Sequence, residues 1–383
     1  MSRDLDPALA WELACGGPFP DPADLEGDAR FMATALRVAM GGVGLSSPNP
    51  PVGCLLVKDG NILGRGVHTR AGDPHGEIMA LREAESREVP LAGATAYVTL
   101  EPCCHHGRTP PCTDALLRAG IARVVVGVRD PNPRVDGGGL RMLQDQGVEV
   151  LEGVLGAECA RFHAPFFKWI RTGLPWVGLK LAVGADGGIG PAGRTTQVTP
   201  NELQRLAHAL RRASEAVLVG RGTAGIDDPQ LTDRWPEPTL PHRLFRRIAL
   251  DSRGQLPGSL RLWQAVEGQP PLRVLAQPSP PIPGVEDLRV PSGPGGCSLR
   301  HLLHELGARG IGRLLVEGGP ALLGSFLVEG LADEFHRFVS SEPAGGARIH
   351  LAVTQDWGVR AKVMFRSHHW EILEKPVLAQ PFH

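Results

Sequence analysis

Residues 100–113 read Leu-Glu-Pro-Cys-Cys-His-His-Gly-Arg-Thr-Pro-Pro-Cys-Thr, and the tripeptide His75-Gly76-Glu77 lies upstream of them. Together the two stretches supply one imidazole and two thiols, which is a typical ligand set for tetrahedral zinc. Three protein ligands leave the fourth position to water, and an open position indicates catalysis rather than a structural role. The predicted zinc ligands are His75, Cys103 and Cys112.

Glu77 is the predicted proton carrier of this site. Two positions on a helix are about 200° apart, so His75 and Glu77 cannot share one flank. Pro74 favours a helix start at this point, where both side chains can converge ahead of the first turn. Cys112 directly precedes a second predicted helix, and helix N-termini favour thiolates. Glu77 can therefore move protons to and from a zinc-activated water without binding the metal.

Two kinds of zinc protein share parts of this pattern. Nucleobase deaminases have His-x-Glu followed by Pro-Cys-x-x-Cys, but here eight residues separate the two cysteines instead of two. A closed structural site would need a fourth protein ligand, which Cys104, His105 or His106 could offer. A non-enzymatic, zinc-stabilised binding protein is therefore the alternative from a different class.

Composition limits the partners and the location. The chain has 383 residues, enough for two domains, and its net charge of −1 gives no electrostatic reason to expect nucleic acid or membrane binding. We expect small-molecule partners and leave a homo-oligomer open. No apolar segment has signal-peptide or transmembrane length, so a cytoplasmic location is expected. The seven cysteines are an odd number in a long chain and are expected to be reduced.

Apolar periodicity predicts two α/β domains behind a loosely ordered extension over residues 1–27. In the first domain, residues 28–170, we predict helices over 28–40, 75–86, 113–119, 140–146 and 157–170, and strands over 52–57, 62–67, 94–100, 124–128 and 148–150. Thr172-Gly173-Leu174-Pro175 is the boundary signal. In the second domain, residues 175–383, we predict strands over 176–183, 216–219, 247–251, 272–276 and 314–316, and helices over 202–212, 302–308 and after 317–320.

Two reductase classes do not fit the second half. Residues 220–225 form a Gly-x-Gly-x-x-Gly pattern, but Ile226-Asp227-Asp228-Pro229 follows at once and is expected to prevent the helix of a Rossmann unit. The only tyrosine, Tyr97, is followed at the fourth position by Glu101, so a Tyr-x-x-x-Lys centre is absent. Residues 268–296 are rich in Pro and Gly and are expected to be loops around a single strand.

Residues 28–170 resemble the deaminase domain of the bifunctional deaminase/reductase family of riboflavin biosynthesis. The resemblance rests on Pro48-Asn49-Pro50-x-Val52-Gly53, Gly66-x-His68, His75-x-Glu77 and the stretch Thr99 to Cys112 with its eight-residue gap. It implies a cytidine-deaminase-like α/β/α fold and deamination of a diaminopyrimidinone carrying ribose phosphate. It further implies zinc on His75, Cys103 and Cys112, proton transfer by Glu77, and substrate contacts from Asn49, His68, Arg108 and Thr109.

Residues 175–383 resemble the reductase domain of the same family, which has a dihydrofolate-reductase-like α/β fold. The motifs are Lys180-Leu181-Ala182, Leu210-Arg211, Gly220-x-Gly222-Thr223, Asp227-Asp228-Pro229-x-Leu231-Thr232-x-Arg234, Asp251-Ser252 and Val316-Glu317-Gly318-Gly319-Pro320. The resemblance implies that NADPH lies against Thr223, Asp227, Ser252, Gly318, Gly319 and Pro320. It implies substrate contacts from Arg211, Leu231, Arg234 and Glu317.

The second half also departs from the family pattern. Gly184-Ala185-Asp186-Gly187 replaces Ser-Leu-Asp-Gly, and Gln197 replaces a tryptophan. These changes remove a hydroxyl group and an aromatic wall from the expected reductase site. A protein that only deaminates, with a degenerate second domain, is therefore the alternative within the family.

Overall fold

The computed structural model describes residues 6–104, 110–133, 135–194, 196–234, 245–264, 269–346, 357–365 and 367–375. The chain forms two compact units. Of the described residues, the first unit comprises 15–173, and the second comprises 174–375 together with 6–14. Within the described residues, no helix is long and apolar enough to cross a membrane.

The described elements alternate between helix and strand over most of the chain. The α-helices are α1 (Pro7–Ala14), α2 (Gly27–Ala39), α3 (Gly76–Ser86), α4 (Cys112–Arg118), α5 (Gly138–Asp145), α6 (Gly156–Thr172), α7 (Asn201–Arg212), α8 (Arg221–Asp227), α9 (Leu299–Ala308) and α10 (Pro320–Val328). The strands are β1 (Gly53–Lys58), β2 (Asn61–Val67), β3 (Thr95–Val98), β4 (Arg123–Val126), β5 (Glu149–Glu152), β6 (Trp176–Val183), β7 (Ala216–Gly220), β8 (Arg246–Leu250), β9 (Leu272–Leu275), β10 (Glu286–Arg289), β11 (Ser292–Gly293), β12 (Gly296–Cys297), β13 (Arg313–Val316), β14 (Glu334–Val339), β15 (Gly358–Phe365) and β16 (His368–Glu374).

The first unit is a three-layered α/β/α sandwich around a five-stranded sheet of order β2-β1-β3-β4-β5. Strand β1 is antiparallel to both of its neighbours, whereas β3, β4 and β5 are parallel. Apolar residues of α3, α4 and α5 pack in one core with Cys54, Leu56, Val98 and Val126 on one face of the sheet. Helix α2 covers the opposite face, where the backbone of Gly53 approaches the backbone of Ala35 and Ala39.

This topology brings the chemical motifs to one edge of the sheet. Strands β3 and β4 are parallel and end at Val98 and Val126, so the segments that follow them emerge side by side. The first of these segments contains Cys103, and helix α4 begins at Cys112.

The second unit contains a nine-stranded sheet of order β10-β9-β8-β7-β13-β6-β14-β16-β15. The first seven strands of that order are parallel, and β16 is antiparallel to β14 and β15. The parallel strands are buried apolar runs such as Ala216 to Val219 and Leu314 to Val316, which is typical of a sheet covered on both faces.

Three expectations about the fold were wrong. Residues 7–14 form helix α1, whose buried side chains include Trp11 and Leu13, and the Arg360 guanidinium donates to the Leu13 carbonyl over 3.1 Å. The Gly-x-Gly-x-x-Gly segment does open a helix, α8, although it ends after seven residues where Asp228 adopts a left-handed conformation. Residues 268–296 contain β10, β11 and part of β12 besides β9.

Candidate active sites

His75, Cys103 and Cys112 lie together in the first unit. Their ligand atoms are all within 4.8 Å of one another, and no other such group occurs among the described residues. His75 Nδ1 is 3.5 Å from Cys103 Sγ and 3.3 Å from Cys112 Sγ. Zinc bonds of ~2.0 Å to nitrogen and ~2.3 Å to sulfur at a tetrahedral angle place the two atoms roughly 3.5 Å apart, so the donor set fits the ion.

Two helix starts and one loop build this triad. His75 is the N-cap of α3, with an extended backbone, and Cys112 is the first residue of α4. The backbone N–H of Cys112 donates to Cys103 Sγ over 3.4 Å, as expected at a helix N-terminus next to a thiolate. Of the alternative ligands, Cys104 is not part of the group. His105 and His106 lie outside the described residues.

The charges within the triad favour an anionic sulfur. The pKa of Cys103 is lowered chiefly by the hydrogen bond from the Cys112 thiol, and also by His75. The same hydrogen bond raises the pKa of Cys112. His75 gains a partner in Cys103, which raises the pKa of its imidazole. A divalent cation would neutralise two thiolates beside a neutral imidazole.

Glu77 lies beside the triad and is only 2% exposed. Burial raises the pKa of its carboxyl group to about 7, and the charge of Cys103 acts in the same direction. Its Oε2 atom has no hydrogen-bond partner among the described residues. A buried carboxyl oxygen without a partner is costly unless a ligand or water completes it, so Glu77 suits a role in proton transfer.

A cavity of about 510 Å³ is lined by His75, Cys103 and Glu77 and by the predicted substrate residues Asn49 and His68. Cys112 is buried beside it. His68 Nδ1 donates to the Pro74 carbonyl over 3.1 Å, and its Nε2 accepts from the Asn49 amide, also over 3.1 Å. Burial lowers the pKa of His68, which keeps the ring neutral. Arg108 and Thr109 lie outside the described residues.

Sequence reasoning missed several residues that line this cavity, among them Glu101, Asp130 and Asn132. The Glu101 carboxylate accepts four backbone N–H groups, from Asp130, Gly137, Gly139 and Leu140. Burial raises the pKa of Asp130 to about 7, and its Oδ1 accepts from the Asn132 N–H. The position of Glu101 directly before Pro102-Cys103 was the available signal.

Replacing Glu101 by glutamine should lower kcat/KM for deamination at least ~10-fold, since hydrogen bonds to charged groups contribute about 1.5–3 kcal/mol each. The amide NH₂ group would face backbone N–H groups instead of accepting from them. The 130–140 segment would then lose its hydrogen bonds to position 101, which lies two residues before Cys103. Steady-state ammonia release measures the effect, and the unchanged reductase rate of the same preparation is the control. An unchanged kcat/KM would show that this segment needs no carboxylate.

The second unit contains a cavity of about 590 Å³. Of the residues predicted to bind cofactor, Thr223, Ser252, Gly319 and Pro320 line it. Gly319 is the N-cap of α10 and Pro320 occupies its first turn, so backbone N–H groups with a favourable dipole face the cavity, which fits a dinucleotide phosphate. Gly318 and Asp227 are not among the lining residues, and Asp227 is exposed. Arg253 and the segment 294–297 line the cavity and were missed.

Two of the four predicted substrate residues of the second unit, Arg211 and Glu317, form a largely buried ion pair. Arg211 donates to both oxygens of Glu317, over 2.5 and 3.0 Å, and to the Thr232 carbonyl over 3.2 Å. Burial works against ionisation of Glu317, but Arg211 holds its pKa below the usual range. Leu231 is buried, with φ of 48°. The Arg234 side chain is exposed, while its backbone N–H donates to His208.

The departure at Gly184 has a local structural reason. A Cβ atom at this position would lie 2.3 Å from the backbone nitrogen of Ala344. The Asp186 carboxylate accepts the N–H groups of Gly188, Ala344 and Gly345, which fastens the turn to that segment. The altered turn is therefore held by its own hydrogen bonds, and residues 184–188 are not among those that line the cavity.

Comparisons with known proteins match both halves of the chain to described families. Residues 25–128 match the family described as the cytidine and deoxycytidylate deaminase zinc-binding region, and residues 175–375 match the RibD C-terminal domain. The riboflavin biosynthesis protein RibD of Escherichia coli K12 is 41% identical over 329 residues, which cover 83% of this chain and 89% of that protein. RibD of Aquifex aeolicus is 40% identical over 324 residues, with coverage of 83% and 88%.

A solved structure extends the similarity to the fold. The diaminohydroxyphosphoribosylaminopyrimidine deaminase/5-amino-6-(5-phosphoribosylamino)uracil reductase of Thermotoga maritima has a TM-score of 0.82 and 35% identity to this chain. The match covers 91% of this chain and 99% of that one. These findings confirm the family resemblance, the two α/β folds and the assignment of zinc and NADPH as cofactors. The chain belongs to the RibD family of bifunctional deaminase–reductases of riboflavin biosynthesis.

Proposed function

We propose that the two units catalyse consecutive steps of riboflavin biosynthesis with the site residues named above. The first unit would deaminate 2,5-diamino-6-(5-phosphoribosylamino)pyrimidin-4(3H)-one by hydrolysis. The second would reduce the ribosyl group of the product, 5-amino-6-(5-phosphoribosylamino)uracil, to a ribityl chain. The observation that carries the proposal is the grouping of His75, Cys103 and Cys112 beside the buried Glu77, at a cavity that His75, Cys103 and Glu77 line.

In the deamination step, His75, Cys103 and Cys112 would hold the ion and Glu77 would move the proton. When bound, zinc would supply the Lewis acidity that activates a water for attack. Glu77, with a pKa raised to about 7, would take a proton from the attacking water and deliver it to the departing amino group. The oxygen of that water would form the new bond to the ring carbon as the bond to the amino nitrogen breaks and ammonia leaves. The burial of Glu77 excludes competing solvent from the proton transfer.

Asn49 and His68 orient the substrate from the other side of the cavity. Because His68 donates to Pro74 through Nδ1, its Nε2 is an acceptor and fixes the Asn49 amide nitrogen as a donor. The Asn49 carbonyl oxygen is thereby available to accept from an amino or ring N–H of the pyrimidine. Arg108 and Thr109 are proposed substrate residues on family resemblance alone.

In the reduction step, NADPH supplies the hydride and the second unit binds and orients both molecules. We assign the cofactor to the cavity lined by Thr223, Ser252, Gly319 and Pro320. Arg211 holds Glu317, and the charge of Lys180 acts on the same carboxylate. Burial lowers the pKa of Lys180, which suits this ammonium to release a proton. Leu231 and Arg234 remain proposed substrate contacts.

Filling the cofactor cavity should separate the two activities. Gly319 has an ordinary backbone conformation, with φ of −72°, and a Cβ atom there would meet only Thr223 Oγ1, at 3.9 Å. We expect Gly319→Val to raise the KM for NADPH at least ~10-fold by occupying space that the phosphates need, while ammonia release is unchanged. Gly358→Val, at an open position outside the cavity, is the matched control. An unchanged KM would place the cofactor elsewhere.

Ammonia release together with metal analysis tests the first step. Purified protein with stoichiometric zinc should release one ammonia per diaminopyrimidinone phosphate consumed and should act much more weakly on cytidine nucleotides. A zinc-loaded protein that releases no ammonia from this substrate would instead support the zinc-stabilised binding protein. Activity restricted to another nucleotide would contradict the substrate assignment.

A further inference from the structure

His163 on α6 is a buried histidine that is not part of the zinc triad. It is 1% exposed, and its Nε2 lies 3.1 Å from the Thr99 hydroxyl. Its Nδ1 has no hydrogen-bond partner among the described residues. Complete burial lowers the pKa of His163 to about 3, so the ring is neutral and carries one proton. With that proton on Nε2, the ring donates to Thr99 and leaves only a lone pair without a partner.

Thr99 connects this histidine to both strands that flank the deaminase cavity. Its Oγ1 accepts the backbone N–H of Gly53 over 3.1 Å, and its own N–H donates to the Gly53 carbonyl over 3.1 Å. Val52, directly before Gly53, lines the cavity, as do Leu100 and Glu101 directly after Thr99. A shift of Thr99 would therefore move both segments.

Helix α6 supplies an apolar wall to the same cavity. Phe166, Trp169 and Ile170 line it, three, six and seven residues after His163. Helix α6 also makes apolar contacts here, with Leu100, Ala160 and Phe167 buried in one cluster. Apolar packing is not directional, whereas a hydrogen bond restrains the distance and angle between two particular atoms. The bond from His163 to Thr99 therefore restricts how α6 can shift against the sheet.

We propose that His163 is a positioning residue for deamination. Through its hydrogen bond to Thr99 it places the wall of Phe166, Trp169 and Ile170 opposite the segment from Leu100 to Cys103. The spacing between these two surfaces sets how the flat pyrimidine ring enters and lies against the zinc triad. The proposal rests on the deaminase activity proposed above and assigns no proton transfer to His163.

The test compares four variants of the full-length protein in the ammonia-release assay. His163→Leu and Thr99→Val each remove the hydrogen bond while keeping side-chain bulk. His163→Gln retains an amide N–H near the position of Nε2, and Thr99→Ser retains the hydroxyl. We expect the first pair to lower kcat/KM by ~10- to 100-fold, mainly through KM, because the misplaced wall weakens substrate binding. The second pair should stay within ~3-fold of the wild type.

Three readouts separate positioning from a general loss of structure. Zinc content and the NADPH-dependent rate of each variant should match those of the wild type. A loss of folded protein would lower the apparent kcat and leave KM unchanged, which would overturn the proposal. If His163→Leu does not fold, the test rests on the Thr99 variants: Thr99→Val should raise KM and Thr99→Ser should not. A wild-type KM in Thr99→Val would overturn the proposal. A wild type that releases no ammonia would refute the proposed function instead.

Discussion

Glu77→Gln should lower the rate of ammonia release by ~100- to 10,000-fold, the range expected when a general acid–base group is removed. Glutamine has almost the same size, so the cavity keeps its shape, but the amide cannot take a proton from water. Glu77 is buried beside the triad without being one of its three ligands. Zinc content and NADPH-dependent reduction should therefore be unchanged, and kcat should account for most of the loss.

Glu85→Gln is the matched control, because Glu85 is an exposed glutamate on the same helix. It should retain wild-type deamination. A Glu77→Gln variant that keeps more than about a tenth of the wild-type rate would contradict the role assigned to Glu77, since another group would then have to move the proton.

Cys112→Ala should remove zinc and, with it, deamination. The substitution leaves two protein ligands of the three that a catalytic zinc site normally has. It also removes the first residue of α4 from contact with His75, whose Nδ1 is 3.3 Å from the lost sulfur. We expect substoichiometric zinc by atomic emission analysis. Ammonia release should fall ~1,000-fold or more, because water that is not activated by the metal is a much weaker nucleophile.

Cys104→Ser tests whether the cysteine next to Cys103 contributes to zinc binding. Cys104 follows Cys103 directly but is not part of the ligand group, so this variant should keep one zinc ion per chain and full deamination. Loss of zinc from Cys104→Ser, or stoichiometric zinc in Cys112→Ala, would mean that the ion has a different ligand set. Both variants should oxidise NADPH at the wild-type rate.

The zinc group was predictable from the sequence because its chemistry is local. His75 with Glu77, and Cys103 with Cys112, are short patterns next to helix starts, and the structure brings all four side chains into one cavity or its edge. Long apolar segments were equally informative: strand β6 was predicted with the observed bounds, 176–183, and helix α6 within two residues of its observed ends.

Residues whose roles depend on distant contacts could not be predicted. Glu101 is recognisable only once the 130–140 segment lies over it, and His163 only once α6 meets Thr99. Helix α1 was missed because it has only eight residues and lies among Pro, Gly and acidic residues, so the sequence shows no clear apolar periodicity. A helix this short is stabilised by tertiary packing, which the sequence does not show. The C-terminal strands β14 to β16 were not predicted, and their core depends on stacking of Phe338 on Trp370 at 5.2 Å between ring centroids.

The reductase residues illustrate the limit of motif transfer. Thr223, Ser252, Gly319 and Pro320 line one cavity, whereas Asp227 from the same set of motifs is exposed outside the lining. Arg211 was predicted to contact the substrate, but two nitrogens of its guanidinium group donate to Glu317 in this structure. Its contact with substrate therefore remains a prediction.

The central claim is that one chain performs both steps, and NADPH oxidation with the deaminated intermediate tests it most directly. Wild-type protein supplied with 5-amino-6-(5-phosphoribosylamino)uracil should oxidise one NADPH per ribityl product, followed as loss of nicotinamide absorbance. Glu77→Gln should do the same, because its second unit is intact. Absence of NADPH oxidation by wild-type protein that still releases ammonia would contradict the claim and leave a deaminase with a degenerate reductase domain.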